Sequence, residues 1–171
     1  ARHAIANCGV PAFLAFLAAA APYSEWFTIA MVAALATAVF DTVSSEIGQV
    51  YGKHPFLITT FRSVPAGTDG AVSVEGTLAG LAAATLLALV AAVLGLTGSH
   101  VGHGAAGAGI IVAAAFLGTT FESYLGAISI GPIGRSLGQH DNAAMNFATT
   151  AIGASLCGLA AFAIRPLRRL V

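Results

Sequence analysis

Charge is scarce in this chain. Of its 171 residues only 8% are Asp, Glu, Lys or Arg, against about 25% in a typical soluble domain. The seven basic and seven acidic residues cancel, so no basic surface for nucleic acid is expected and no nucleic-acid partner. Cysteine is equally sparse. Cys8 and Cys157 both lie in apolar runs with no spacing motif, which argues against a disulfide framework or thiolate metal site and for packing roles. No G-x-x-x-x-G-K-[ST] occurs, so a P-loop is excluded. Short alternating segments of the kind a β-barrel needs are missing too. No signal-peptide pattern is read. The chain opens at Ala1 rather than Met, and an N-terminal portion is expected to precede it.

Apolar residues are what the chain has. They make up 57% of it, and the mean hydropathy is +0.87. Runs near the ~20 residues needed to cross a bilayer recur. The reading is an all-α, polytopic transmembrane helix bundle, a single integral membrane domain over residues 1–171. About five spans are expected, near Ala4–Ala21, Trp26–Tyr51, Ala71–Thr97, Ala105–Ile130 and Ala143–Ile164. Trp26 is placed as an interfacial anchor. Gly76 and Gly80 form a G-x-x-x-G that lets helices approach closely. With five spans the polar loops Gly52–Gly70 and "GPIGRSLGQHDN" share one membrane face. Lys and Arg do not orient the chain, because Arg2, Lys53, Arg62 and Arg135 oppose Arg165, Arg168 and Arg169.

The polar residues inside the spans are not scattered. In "AVFDTVSSEIGQVYGK", Asp41, Ser44, Ser45 and Gly48 follow i, i+3, i+4, i+7 spacing, one helix face. Glu46 lies off that stripe. Asp41 sits about 15 Å from the Tyr51 end, where an acid costs about 2.5–3.5 kcal/mol on insertion scales. Such a residue should face the bundle interior or a water-filled hollow. Thr119, Glu122, Ser123 and Gly126 repeat the pattern in the fourth span. Asn142 and Asn146 form an i, i+4 pair at the start of the fifth, after Asp141. Singly, each has a structural explanation: buried polar glue, hydroxyls bonded to their own helix, a helix cap. Together they bring three polar faces to one side, beneath the loops. The first loop adds Lys53, His54 and Arg62 around "LITTF", then "VPAGTDGAVS", where Gly67 and Gly70 allow an anion-binding nest. Thr68, Ser73 and Thr77 offer hydroxyls near a helix start. His100 and His103 lie on the opposite face without a third ligand.

The motifs "DTVSSEIGQVYGK", "LITTFRSVPAGTDGAVSVEGTLAG" and "FESYLGA" resemble the phytyl-phosphate kinase family of integral membrane proteins. The likeness runs from about Ala4, where "AIANCGVPAFLA" is similar to an Asn-Gly-containing span of the family, to about Ala163. The family pattern N-D-x-x-N at the last span reads "NAAMN" here, with Ala143 in place of the Asp. The resemblance implies transfer of a phosphoryl group from a nucleoside triphosphate, CTP in the family, to phytyl phosphate or a related prenyl phosphate. The diphosphate product serves tocopherol and phylloquinone synthesis. It further implies a bacterial inner, thylakoid or chloroplast membrane, with the active side toward cytosol or stroma.

Phosphoryl transfer requires positioning and charge neutralisation, usually with Mg²⁺. On this reading Asp41, Glu46 and Glu122 are the Mg²⁺ ligands, and Lys53 and Arg62 bind the triphosphate, with Arg135 a weaker candidate. Ser44, Ser45, Thr59, Thr60, Gly67, Thr68, Asp69, Gly70, Ser73, Asn142 and Asn146 complete the nucleotide and phosphate site. Glu75 serves as a ligand or organises the loop. Membrane lipid is an expected partner, and a homo-oligomer is left open. Two alternatives use the same residues: a CTP-dependent cytidylyltransferase making a CDP-lipid, and a cation- or proton-coupled transporter.

Overall fold

A computed structural model of the chain describes residues 2–22, 24–98, 104–129 and 142–164. Among the described residues there are five helices: α1 (Arg2–Ala20), α2 (Ser24–Tyr51), α3 (Val74–Val93), α4 (Ala105–Ser129) and α5 (Asn142–Ile164). The last four are long and apolar enough to cross a membrane. The apolar stretch of α1, Ile5–Ala20, is shorter, so among the described residues the five expected spans become four and a shorter apolar helix. The fold class expected from composition is the observed one, an all-α polytopic bundle.

Helix α2 is the hub. It packs on each of the other four helices, while α3, α4, α5 and α1 form an arc around it, each touching the next. Its buried face supplies Ile29, Val32, Ala33, Ala36 and Phe40 to the core. Ala84 and Ala88 of α3, Ile111 and Ala115 of α4 and Ala161 of α5 meet them. Cys157 is buried in the same cluster, with Sγ 4.0 Å from the Ile29 carbonyl oxygen, whereas Cys8 is exposed. Trp26 leans on Phe162 with ring centroids 6.3 Å apart, joining the start of α2 to the end of α5.

Small residues set the closest approaches. Both glycines of the G-x-x-x-G face α2. A Cβ at Gly76 would strike the Ser44 carbonyl oxygen, and one at Gly80 would lie 2.8 Å from Phe40. Buried hydroxyls are satisfied within their own helices: Thr37 donates to Ala33 O at 2.8 Å and Thr119 to Ala115 O at 3.0 Å.

The third apolar run begins and ends differently from the expected Ala71–Thr97. Ala71 and Val72 form a strand, β2, antiparallel to β1 (Phe56–Leu57). Ser73 then caps α3 in extended conformation, its hydroxyl accepting from Gly76 N at 3.1 Å. Glu75 in the first turn favours the helix N-terminus. At the other end Gly95, at φ 74°, ends the helix, and Leu96 N donates to Ala91 O at 2.8 Å. The polar loop Gly52–Gly70 is thus a small β-hairpin excursion laid over the bundle end. The second polar loop, with Arg135 and Asp141, lies outside the described residues, as do His100 and His103.

Candidate active site

A polar cleft of about 160 Å³ opens where the hairpin loop meets the ends of α2, α3 and α4. From α2 it is lined by Asp41, Ser44, Ser45, Gly48 and Gln49. Helix α4 contributes Glu122 and Ser123; α3 and its cap contribute Ser73 and Thr77. The loop supplies Gly67 and Thr68. A second, tighter hollow lies against the same two acids. Asn7, Thr37, Asn146, Thr149 and Thr150 surround Asp41 and Glu122 there. Asn146 Nδ2 donates to Asn7 Oδ1 at 3.0 Å, tying α5 to α1 beside the acids. Asp41 and Glu122 therefore stand between an open cleft and a closed polar knot.

Other expected site residues fall elsewhere. Glu46 is exposed and does not line the cleft. At 3.6 residues per turn, five positions beyond Asp41 is about 140° around the helix, so the three-carboxylate set is reduced to a pair. Among the described residues no group of three His, Cys, Asp or Glu is arranged to hold a metal. Lys53 and Arg62 are exposed and stand outside the lining, as does the exposed Asp69. Thr60 shapes the turn that carries Arg62: Arg62 N donates to Thr60 Oγ1 at 3.4 Å, and Leu57 N to Arg62 O at 3.0 Å. Thr59 in the same turn does not reach the cleft lining. Asn142 opens α5; its side chain lies outside the described residues.

The two loop glycines divide their work. Gly67, at φ 82°, lines the cleft. Gly70, at φ 72°, docks the loop on α4, since a Cβ there would collide with Ala127 N and sit 2.6 Å from Ser123 O. The cradle is narrower than a nest of free N–H groups, because Thr68 N and Ala71 N are engaged with Pro65 O and Thr68 O at 3.3 and 3.0 Å.

Hydroxyl protons decide what the cleft can offer. Ser44 donates to Asp41 O at 3.1 Å, Ser45 to Thr42 O at 3.0 Å and Thr68 to Pro65 O at 2.7 Å. These oxygens turn lone pairs outward, as a cation prefers. Ser73 differs. Its oxygen accepts the cap bond, which leaves its proton for a ligand oxygen. Two acids with no Lys or Arg in the lining would repel a phosphate group unless a cation lay between. The donor set is all oxygen, and a pair of carboxylates plus substrate phosphates is how Mg²⁺ is usually held. The residues present fit that ion.

Sequence reasoning did not single out Gln49, Thr37, Thr149 and Thr150. Gln49 had a signal, since it continues the Asp41, Ser45 row at i+4 spacing. The three threonines looked like any hydroxyl in an apolar helix.

Residues 1–154 match the family model described as integral membrane protein DUF92. The chain belongs to this family. Similar proteins occur in distant organisms. One is the uncharacterized membrane protein sll0875 of Synechocystis sp., 47% identical over 108 residues, 62% of this chain and 39% of that protein. Protein VTE6, chloroplastic, of Arabidopsis thaliana is 52% identical over 91 residues, 53% of this chain and 27% of that protein. The uncharacterized membrane protein MJ0933 of Methanocaldococcus jannaschii is 41% identical over 88 residues, 52% of this chain and 36% of that protein. The matches thus span well under half the length of these relatives. No solved structure matches the chain.

Proposed function

We propose that this chain carries the phosphate-transfer site of a membrane kinase that converts phytyl phosphate, or a related prenyl phosphate, to the diphosphate. The observation that carries the reading is the meeting of Asp41 and Glu122, from different transmembrane helices, in a hydroxyl-lined cleft beneath a glycine-bearing loop. Family membership and the likeness to a chloroplastic protein support it. The donor is a nucleoside triphosphate, CTP by family resemblance.

In this reaction an oxygen of the lipid phosphate bonds to the γ-phosphorus, the bond from that phosphorus to the β–γ bridging oxygen breaks, and the nucleoside diphosphate leaves. The acceptor is already anionic near neutral pH, so no strong general base is needed, and none lines the cleft beyond the acid pair. Asp41 and Glu122 would hold Mg²⁺, which supplies neutralisation of phosphate charge when bound. Ser73 donates to a phosphate oxygen. Gly67 lets the loop backbone approach the ligand closely. Lys53 and Arg62, exposed on the same loop that supplies Gly67 and Thr68 to the cleft, attract the polyanion from water. Asn7 and Asn146 hold the floor behind the acids. Nucleotide supply puts this face toward cytosol or stroma, and a Lys53→Cys variant should react with impermeant thiol reagent from that side only.

The reading is tested with purified protein in detergent, Mg²⁺, phytyl phosphate and each of CTP, ATP, GTP and UTP. Release of nucleoside diphosphate with formation of phytyl diphosphate is the expected result. Release of pyrophosphate with a CDP-lipid would identify a cytidylyltransferase instead. No turnover, with cation-dependent uptake in vesicles, would identify a transporter.

A further inference from the structure

A further cavity lies in the membrane-spanning part, between α3 and α4. It has a volume of about 550 Å³ and a lining almost wholly apolar, within the ~300–1,000 Å³ range of small-molecule sites. Leu81, Thr85 and Leu89 form its α3 wall. Thr85 is not a polar intrusion, because its hydroxyl donates to Leu81 O at 2.7 Å. The α4 wall is built of small residues such as Ala108, Gly109 and Ala113, with Phe116 toward the acid-bearing end.

The groove and the polar cleft are successive parts of one helix row. On α3 the cleft is lined by Ser73 and Thr77, and the groove by Leu81, Thr85 and Leu89. Every step is i+4, one ridge of the helix surface. On the antiparallel α4 the order is matched, with Ser123 and Glu122 in the cleft and Phe116 then Val112 in the groove. Polarity therefore changes once along the seam, from acids and hydroxyls to hydrocarbon. From Thr77 to Leu89 the row runs about 18 Å at 1.5 Å per residue, more than half of a ~30 Å hydrocarbon core.

We infer that this α3–α4 groove seats the branched hydrocarbon tail of the lipid phosphate whose head enters the Asp41–Glu122 cleft. The inference rests on the kinase reading for its substrate class. The occupant is an amphiphile with one anionic end and one long apolar end, because only such a molecule matches the single change of polarity along the seam. Lipid acyl chains are as apolar as leucine, so the groove gains little by hydrophobicity alone. It acts by shape, aligning the tail so that the head arrives at one depth and orientation, and it discriminates by tail length.

Gly109 supplies the test. A Cβ there would meet nothing within 4 Å, so Gly109→Phe adds a ring to the groove wall at a position whose Cβ is unobstructed. Gly158→Phe, at an equally open position on α5 outside the groove, is the control. Turnover of phytyl phosphate is compared with that of dimethylallyl phosphate, whose short tail ends near the cleft. Gly109→Phe should lower kcat/KM for the long substrate about tenfold and leave the short one unchanged; the control should change neither. Equal effects on both substrates, or none on either, would overturn the groove assignment while leaving the kinase reading intact. A prenyl phosphate with a photoreactive group at its tail end gives a readout independent of turnover. It should label residues 81–89 or 105–116 in the wild type and lose that label in Gly109→Phe. Labelling there without turnover would sink the kinase reading and keep the groove; labelling elsewhere would sink the groove.

Discussion

At the scale of single residues, two acids part from a third that looks much like them in sequence. Asp41 and Glu46 lie on one helix turn and a half of sequence, yet only Asp41 lines the cleft. Asp41→Asn and Glu122→Gln should each lower kcat for diphosphate formation by roughly 100-fold, with little change in thermal unfolding. Glu46→Gln should stay within about twofold of wild type, as exposed substitutions usually do. A loss for Glu46→Gln as large as for Asp41→Asn would mean that the helix presents another face to the ligand. The Asp41, Ser44, Ser45, Gly48 stripe was legible because spacing alone assigns it to one face. The Asn7–Asn146 pair was not, because a contact between α1 and α5 leaves no periodic trace. That Ser44 and Ser45 bond back to their own helix was legible; that Ser73 accepts a cap bond and keeps its proton was not, since local backbone geometry decides it.

At the scale of elements, a loop that reads as turn chemistry proves to be the lid of the cleft. The "VPAGTDGAVS" segment was legible as a place of glycine-dependent turns, and Gly67 and Gly70 do adopt positive φ. What sequence could not convey is which glycine lines the cleft and which faces α4. A two-residue hairpin of Phe56–Leu57 and Ala71–Val72 is too short to show alternation, so its strands were absorbed into the neighbouring loop and span. The division of labour predicts distinct phenotypes. Gly70→Ala combines a strained φ with collision against α4 and should destabilise loop docking by about 1–3 kcal/mol. Limited proteolysis within residues 56–70 would read that as faster cleavage. Gly67→Ala carries a similar backbone strain, at φ 82°, but meets only the Gln49 side chain, at 3.8 Å, so it should loosen the loop less than Gly70→Ala while weakening nucleotide binding. The reverse pattern would contradict the assignment.

At the scale of the whole molecule, the bundle is held by small residues and organised by a few polar ones. Composition made the membrane-spanning class legible, and the tight α2–α3 seam followed from Gly76 and Gly80. The number of full-length spans was less legible, because α1 is as alanine-rich as its neighbours but shorter in its apolar stretch. The central hub role of α2 has no sequence signature beyond its buried small residues. What the assembled bundle adds is direction: acids and loop at one end of the α3–α4 seam, hydrocarbon groove along the rest. The most direct test follows the γ-phosphate itself. Purified protein is given γ-labelled CTP, phytyl phosphate and Mg²⁺, beside matched Asp41→Asn and Glu122→Gln samples. Label is expected in the lipid diphosphate for the wild type, none after chelation of Mg²⁺, and at most a trace in either variant. Label that reaches the lipid undiminished in both variants, or never reaches it in the wild type, would contradict the kinase reading.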